Sequence, residues 1–375
     1  MDDIVDADDD ALVVLSRTER RRRARRRALP TWGETPDATR ARRTALIKEL
    51  AMAAGFSRVG IAHAQPLDAE RVRLQAWLAA GMHGEMAWLA EDVARRCDPC
   101  QIVAGAQSVV VLALDYDSAA PHTKDVDLAG EDRGWLSRYA WGTDYHVVAE
   151  QRLKALTTAV RARLIGELGD DFRGPQGGSG PFRAVDDFRW SVDYGPVLER
   201  AWAQRAGLGW QGKHTLLIHP QQGSYFFLAT VVTSIALDAD APSFDQCGSC
   251  TACLDACPTG AIVAPWVVDA RRCISHATIE TTGPLSPADA ARVGDHVFGC
   301  DLCQEACPWN RFSRPSGEPA FEPRPGNVAP RLGELAALDG PGFAARFAQS
   351  AVKRRGRDGL QRTVAAVRAG RRSDT

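Results

Sequence analysis

Residues 247–258 read CGSCTACLDACP, four cysteines within eleven positions at the spacing C-x2-C-x2-C-x3-C, followed by proline. This run constrains the chain more than any other feature, because thiols packed on so short a segment must converge on something. The candidates are a zinc ion, a disulfide pair or an iron–sulfur cluster. The compartment bears on the choice. The N-terminus, MDDIVDADDD, is acidic where a secretory leader needs a basic start. The longest apolar stretch, SYFFLATVVTSIAL (224–237), is too short and too polar to span a bilayer. A cytoplasmic protein without membrane attachment is expected, and there ten cysteines do not form a disulfide framework.

Zinc sites usually pair two C-x2-C knuckles across a longer gap, with all four ligands on one ion. Here three cysteines at i, i+3 and i+6 precede a fourth joined to Pro258. That is the run of bacterial-type ferredoxins, whose fourth cysteine serves the other of two [4Fe–4S] clusters. A tight loop wraps three thiolates around one face of a cube, and the fourth starts the next helix, pointing away. Pro258 suits an early helical position that needs no N–H partner. A second run exists, CDLCQEACPWN (300–310), one cysteine short at its start, where Val297 sits; Cys273 in RRCISHATIE is the spare. One cluster then takes Cys247, Cys250, Cys253 and the crossed-over Cys307. The other takes Cys300, Cys303, Cys273 and the crossed-over Cys257. Cys97 and Cys100, in RRCDPCQIV, are left as structural or free thiols.

The rest of the chain organises around this module. Hydrophobic residues make up 45% and charged residues 25%, ordinary for a globular protein, and the formal net charge of -1 identifies no partner. The distribution says more. Six aspartates fall in residues 1–10, eight arginines in 17–27, and eight Lys/Arg in the last 25 residues. Such blocks are solvated tails or, more sharply, phosphate contacts. Residues 1–40 are expected to be a disordered charged extension. Helices are expected from about 41, over 68–80, 145–168 and 196–207. Strands are expected at 58–62, 108–116, 182–187, 214–220 and 225–237. This interleaving over 41–240 suggests one α/β or α+β domain. Residues 241–315 form the cluster module, and 316–375 a Pro-rich linker (314–330) and short basic helical tail. AGLGWQGKHT (206–215) mimics a phosphate loop, but a helix precedes it and a strand follows, the reverse of what phosphate binding needs. Its glycines are read instead as a helix cap and a close backbone approach.

Some 200 residues stand before the cluster module, so the electrons are expected to serve chemistry in the same chain. HGEMAWL (83–89), RYAWGTDYH (138–146), SVDYGPVLERAWAQRAGLGWQGKHTLLI (191–218), the two cysteine runs and RRCISHATIE together resemble epoxyqueuosine reductases. The match runs in one order over roughly 41–312. The resemblance implies an α+β fold: an N-terminal cobalamin-binding α/β domain related to those of reductive dehalogenases, a ferredoxin-like domain with two [4Fe–4S] clusters, and a tail like the start of HEAT-like repeats. It implies cobalamin as cofactor and an external one-electron donor of flavodoxin or ferredoxin type, in a monomer. The implied reaction reduces the cyclopentane epoxide of epoxyqueuosine to queuosine at the wobble position of tRNA, the last step of queuosine biosynthesis. Removing the oxygen takes two electrons and two protons; clusters deliver electrons singly, and cobalt can accumulate them. A small-molecule reductase of dehalogenase type and a plain two-cluster electron carrier are the alternatives.

The same resemblance assigns residues. Asp193 of SVDYGP is the proton donor, though a loop aspartate is commonly a turn or cap residue. Its acidity would have to be weakened, which desolvation against a corrin could do. Arg96, Lys213, His214, Thr215, Leu217 and Asp301 are expected near the cobalamin, with His214 standing where the family usually has asparagine. Arg200, Tyr145, His146, Lys353, Arg354 and Arg355 are expected on the tRNA side. Alanines across 353–357 are expected to weaken tRNA binding and flatten its salt dependence.

Overall fold

The computed structural model describes residues 35–128, 131–168 and 188–373. Most of the expected N-terminal extension, including its arginine run, and the expected strand at 182–187 lie outside the described residues. Described structure begins earlier than the sequence suggested, with helix α1 at Asp37–Ala53 rather than near 41. Gly55 follows at φ 93°, in the left-handed region that ends a helix cheaply only for glycine.

Strand β1 (Arg58–His63) is followed by α2 (Asp68–Ala79), α3 (Val93–Cys97) and β2 (Ser108–Asp115). The two-residue β3 (Trp135–Leu136) leads to the long α4 (Tyr145–Leu168). Then come β4 (Phe188–Ser191), α5 (Glu199–Arg205), the hairpin of β5 (Trp210–Gln211) and β6 (Leu217–Ile218), and β7 (Phe226–Thr233). The sheet runs β1-β2-β7-β4, and every pair in it is antiparallel. The α+β expectation therefore describes this sheet, whereas the α/β wording, which implies parallel strands, does not fit it.

Strand β2 is apolar at nearly every position because both faces of the sheet are covered. Val110, Leu112 and Leu114 point to a layer with Ile47 and Ala51 of α1 and Leu153, Leu156 and Val160 of α4. Val109, Val111 and Ala113 point to the other layer, with Leu67, Cys97 of α3, and Trp202 and Ala203 of α5. Alternation along one strand thus feeds two cores, and each fully buried Val or Leu contributes about 1.5–3 kcal/mol. Cys97 is one of these buried apolar groups, in line with its structural reading.

The cluster module comprises α6 (Ala252–Asp255), the hairpin β8 (Ile262–Ala264) and β9 (Val267–Val268), α7 (Ile274–Ile279), α8 (Pro287–Arg292), β10 (His296–Phe298) and α9 (Leu302–Glu305). Three helices follow: α10 (Leu332–Ala336), α11 (Gly340–Arg346) and α12 (Gly356–Ser373). The linker-and-tail expectation for 316–375 needs correcting. Phe321, in the Pro-rich stretch, packs into the α1/α4 layer, and Asn327 is buried with Nδ2 donating to the Trp141 carbonyl at 3.0 Å. Leu360, Val364 and Val367 of α12, at i, i+4 and i+7, share a third core with Leu136, Trp141, Val297 and Phe298. The tail completes a core because β3 pairs with β10, and that pair needs a cover. Among the described residues no helix is long and apolar enough to cross a membrane.

Candidate functional site

The two cysteine runs fold alike. Each places one cysteine on a short helix, Cys253 on α6 and Cys303 on α9, and its last, Cys257 or Cys307, before a proline, and helices α6 and α9 pack against each other. Cys247, Cys250, Cys253 and Cys307 line one cavity, together with Lys213, His214, Ile218, Pro308 and Trp309. Cys307 thus shares a cavity with the first three cysteines of the earlier run. Trp210 Nε1 points to Cys247 Sγ at 3.5 Å.

The second set is marked by its electrostatics. Burial raises the Cys303 thiol, and the next largest causes are Cys273 and Cys257; Cys300 is raised by burial and further by Cys303 and Cys273. Cys307 is likewise raised, to about 11, by burial and then by Cys247, Cys253 and Cys250. Thiols repel one another's ionisation only when close, and Cys303 also feels Cys253 of the first set, so the two groups of thiols lie side by side. Cys257 is the exception in sign. Burial would raise it, but the Thr259 hydroxyl and the N–H groups of Ala261, Thr259 and Ile262 outweigh that and lower it. Hydrogen bonds to the thiolate form suit a metal ligand.

Asp301, between Cys300 and Cys303, is buried. It accepts from the Arg138 N–H at 2.6 Å and from the Ser137 hydroxyl. Burial pushes its carboxyl up to about 6 against those two donors. Ser137 and Arg138 begin the RYAWGTDYH segment, which continues through Tyr139 to Tyr145. Tyr139 and Tyr145 meet edge to face, ring centres 6.3 Å apart. Burial raises the Tyr139 phenol, and the charges of Asp193 and, more weakly, Asp301 raise it further. The fields of both carboxylates therefore reach Tyr139, whose ring also lies 6.1 Å from that of Phe298.

Asp193 stands on the loop from β4 to α5 with φ 56°, a left-handed conformation that costs a side-chain-bearing residue about 1–3 kcal/mol. Gly195 allows the loop to close, since a β-carbon there would lie 2.0 Å from Ser191 Oγ. The Asp193 carboxylate is 55% exposed and accepts from the Tyr145 hydroxyl at 2.9 Å. His146 stacks on Tyr145 with centres 4.1 Å apart, and its Nε2 lies 4.0 Å from Asp193 Oδ2. The fields of Arg96 and Arg354 also reach Asp193. Strain concentrated on an accessible, gripped carboxylate is the usual mark of a working group.

Other expected residues are placed as follows. Arg96 is buried, donating to the carbonyls of Trp88 at 2.9 Å and Glu91 at 3.3 Å. Lys213 is buried, and its Nζ donates to the carbonyls of Gly248 at 2.6 Å and Cys250 at 2.9 Å. A buried ammonium must find acceptors, and it finds them on the first cysteine loop. His214 is held neutral, with its pKa lowered to about 4 by burial and then by Arg200; Nδ1 accepts from Leu216 N, and Nε2 is buried without a partner. Leu217 is in the α3/α5 layer. Lys213 and His214 thus stand at the first cysteine set, where both line the cavity of its four thiols. The loop turns at Thr215, φ 69°, whose carbonyl accepts from Arg200 at 2.9 Å. Gly209 makes the expected close approach, since a β-carbon there would lie 2.2 Å from the Ile218 carbonyl. Arg354 is paired with both oxygens of Glu280 at 3.0 Å, Arg355 donates to the Thr281 carbonyl at 2.5 Å, and Lys353 is exposed. Sequence reasoning missed Glu199 and the Ser137–Tyr139 bridge, because neither stands out by spacing; only the neighbours brought by folding reveal them.

A family model described as a 4Fe-4S double cluster binding domain matches residues 246–310, the span that holds both cysteine sets. The double-cluster module and the helix-and-sheet domain before it define the class, a two-cluster iron–sulfur oxidoreductase. A second model, described as epoxyqueuosine reductase QueG, DUF1730, matches residues 96–173. Epoxyqueuosine reductase of Cellulophaga algicola is 39% identical, covering 87% of this chain and 98% of its own; that of Pseudomonas aeruginosa is 40% identical, covering 85% and 83%. The chain belongs to the epoxyqueuosine reductase family. Similar solved structures include an epoxyqueuosine reductase with an epoxyqueuosine-modified tRNA-Tyr stem loop (32% identity, TM-score 0.73, 87% of this chain and 80% of that one). The enzyme from Bacillus subtilis, with a catalytic aspartate loop swung out of its active site, matches with the same figures.

Proposed function

We propose that this chain reduces the epoxide of epoxyqueuosine in tRNA to queuosine, with Asp193 delivering a proton to the departing oxygen. The observation that carries this reading is the accessible Asp193 carboxylate, held at φ 56° and accepting from the Tyr145 hydroxyl. Opening the ring and forming the alkene consumes two electrons and two protons and releases water. When bound, cobalamin would supply a reduced centre that stores those electrons. The residues present fit it in part: Asp193 is exposed, the Thr215 turn offers backbone, and Arg96 is fixed behind the pocket. The Tyr145 hydroxyl orients the acid, and His146 lies close enough to return a proton through water. The first set, with Cys250 exposed, receives electrons from an external one-electron donor of flavodoxin or ferredoxin type. The enzyme works as a cytoplasmic monomer, and the α10–α12 tail, similar to the first helices of HEAT-like repeats, presents Lys353, Arg354 and Arg355 toward RNA phosphates. Tyr145 and His146 meet the nucleoside, and Arg200 lies at the pocket rim.

The test is Asp193→Asn in the loaded enzyme, assayed on an epoxyqueuosine-containing stem loop. Turnover is expected to fall by about 10²–10⁴-fold with iron and corrin contents unchanged. Full activity with both cofactors in place would remove the acid role.

A further inference from the structure

The loop that carries Asp193 is tied down at three points. The Tyr145 hydroxyl donates to Asp193 Oδ2 at 2.9 Å, the Tyr194 hydroxyl donates to Glu150 Oε1 at 3.1 Å, and the Asp193 backbone N–H donates to Glu199 Oε1 at 2.9 Å. The first two grip side chains and leave the main chain free to move on its χ angles. The third grips the main chain itself, at the residue held with φ 56°. Glu199 is the first residue of α5, whose Trp202 and Ala203 are buried against the sheet, so the acceptor sits on a rigid element. We propose that Glu199 is the positioning residue that latches the acid loop in its working place, and this rests on the reading of Asp193 as the acid.

A left-handed aspartate does not hold itself there; something must over-determine it. Tyr145 reports where the carboxylate points; the Tyr194 N–H donates to the Val192 carbonyl across Asp193 at 2.5 Å, but that bond travels with the loop, whereas the Glu199 contact ties the Asp193 main chain to a helix. Burial, and next the charge of Asp193, raise the Glu199 carboxyl well above its usual range, while Arg200 works the other way. Arg96 and Arg354 supply the facing positive field. The Bacillus subtilis relative, whose catalytic aspartate loop occurs swung out, shows that a loop of this kind has two positions in the family. Swinging this loop would break the Asp193–Glu199 bond.

Glu199→Ala and Glu199→Gln separate the latch from other roles. Hydrogen exchange at residues 192–196, measured on the cofactor-loaded enzyme without substrate, reads the loop directly. Glu199→Ala is expected to speed exchange of the Asp193 amide by about three- to tenfold, the worth of one hydrogen bond. Its kcat should fall by about the same factor with KM for the stem loop unchanged, because the competent loop is less populated. Glu199→Gln keeps an acceptor oxygen and should stay within about twofold of the parent in both readouts. Unchanged exchange in Glu199→Ala overturns the latch. So does a Glu199→Gln enzyme as slow as Glu199→Ala, since that would make the carboxyl itself, not its acceptor oxygen, the requirement. Exchange needs no turnover, so a fully active Asp193→Asn enzyme would sink the acid reading while leaving the latch result legible.

Discussion

His219 follows β6, and its Nδ1 accepts from the Gln221 N–H at 3.2 Å. Burial and then the Arg58 cation lower its pKa to about 4, with Asp115 opposing. The unfolded chain therefore takes up the proton first, near 6.5, and the folded chain only near 4. Stability should fall as pH drops through that window, and Glu or Asp residues add to the loss only lower down. His219→Gln should flatten the fall in Tm between pH 7 and 5; an unchanged slope would place the titrating group elsewhere. At this scale the sequence was readable where chemistry is rare. Seven cysteines in two runs declare themselves, but Glu199 is one of many glutamates, and only its contact with the Asp193 amide sets it apart.

The crossing of Cys257 and Cys307 belongs to the scale of elements, since it depends on α6 and α9 lying side by side. Cys247→Ala and Cys307→Ala should lose the same cluster, and Cys257→Ala and Cys273→Ala the other, with iron falling from about eight to about four per chain. Electron paramagnetic resonance of the reduced protein would show one signal removed by the first pair and a different one by the second. A shared loss between Cys253→Ala and Cys257→Ala would refute the crossing. Helix α4 and strand β2 were legible because their apolar patterns are long and uninterrupted. The expected strand at 214–220 shrank to Leu217–Ile218, because Lys213 and His214 turn inward to the first cysteine loop and the chain must bend to let them. A run of β-prone residues does not reveal that demand.

Across the whole molecule the tail matters most. A chain ending at Asn327 would uncover Leu136, Trp141, Val297 and Phe298, the floor of the third core. Such a truncation should give insoluble or cluster-poor protein, read by sedimentation and by iron content; a soluble, fully loaded product would restore the appendage view. The Pro-rich stretch looked like a linker since proline and charge dominate its composition, and one phenylalanine and one asparagine hold it to the fold. By itself the sequence determined that the chain carries a two-cluster module, because ligand spacing is local and a cube tolerates few arrangements. It also determined, through stretches matching one family, which aspartate to examine. Only the tertiary structure decided that Lys213 binds the first cysteine loop, that the tail closes a core, and that Glu199 meets the Asp193 amide. These are contacts between residues that folding brings together, and their energies come from burial and charge, which no local pattern encodes.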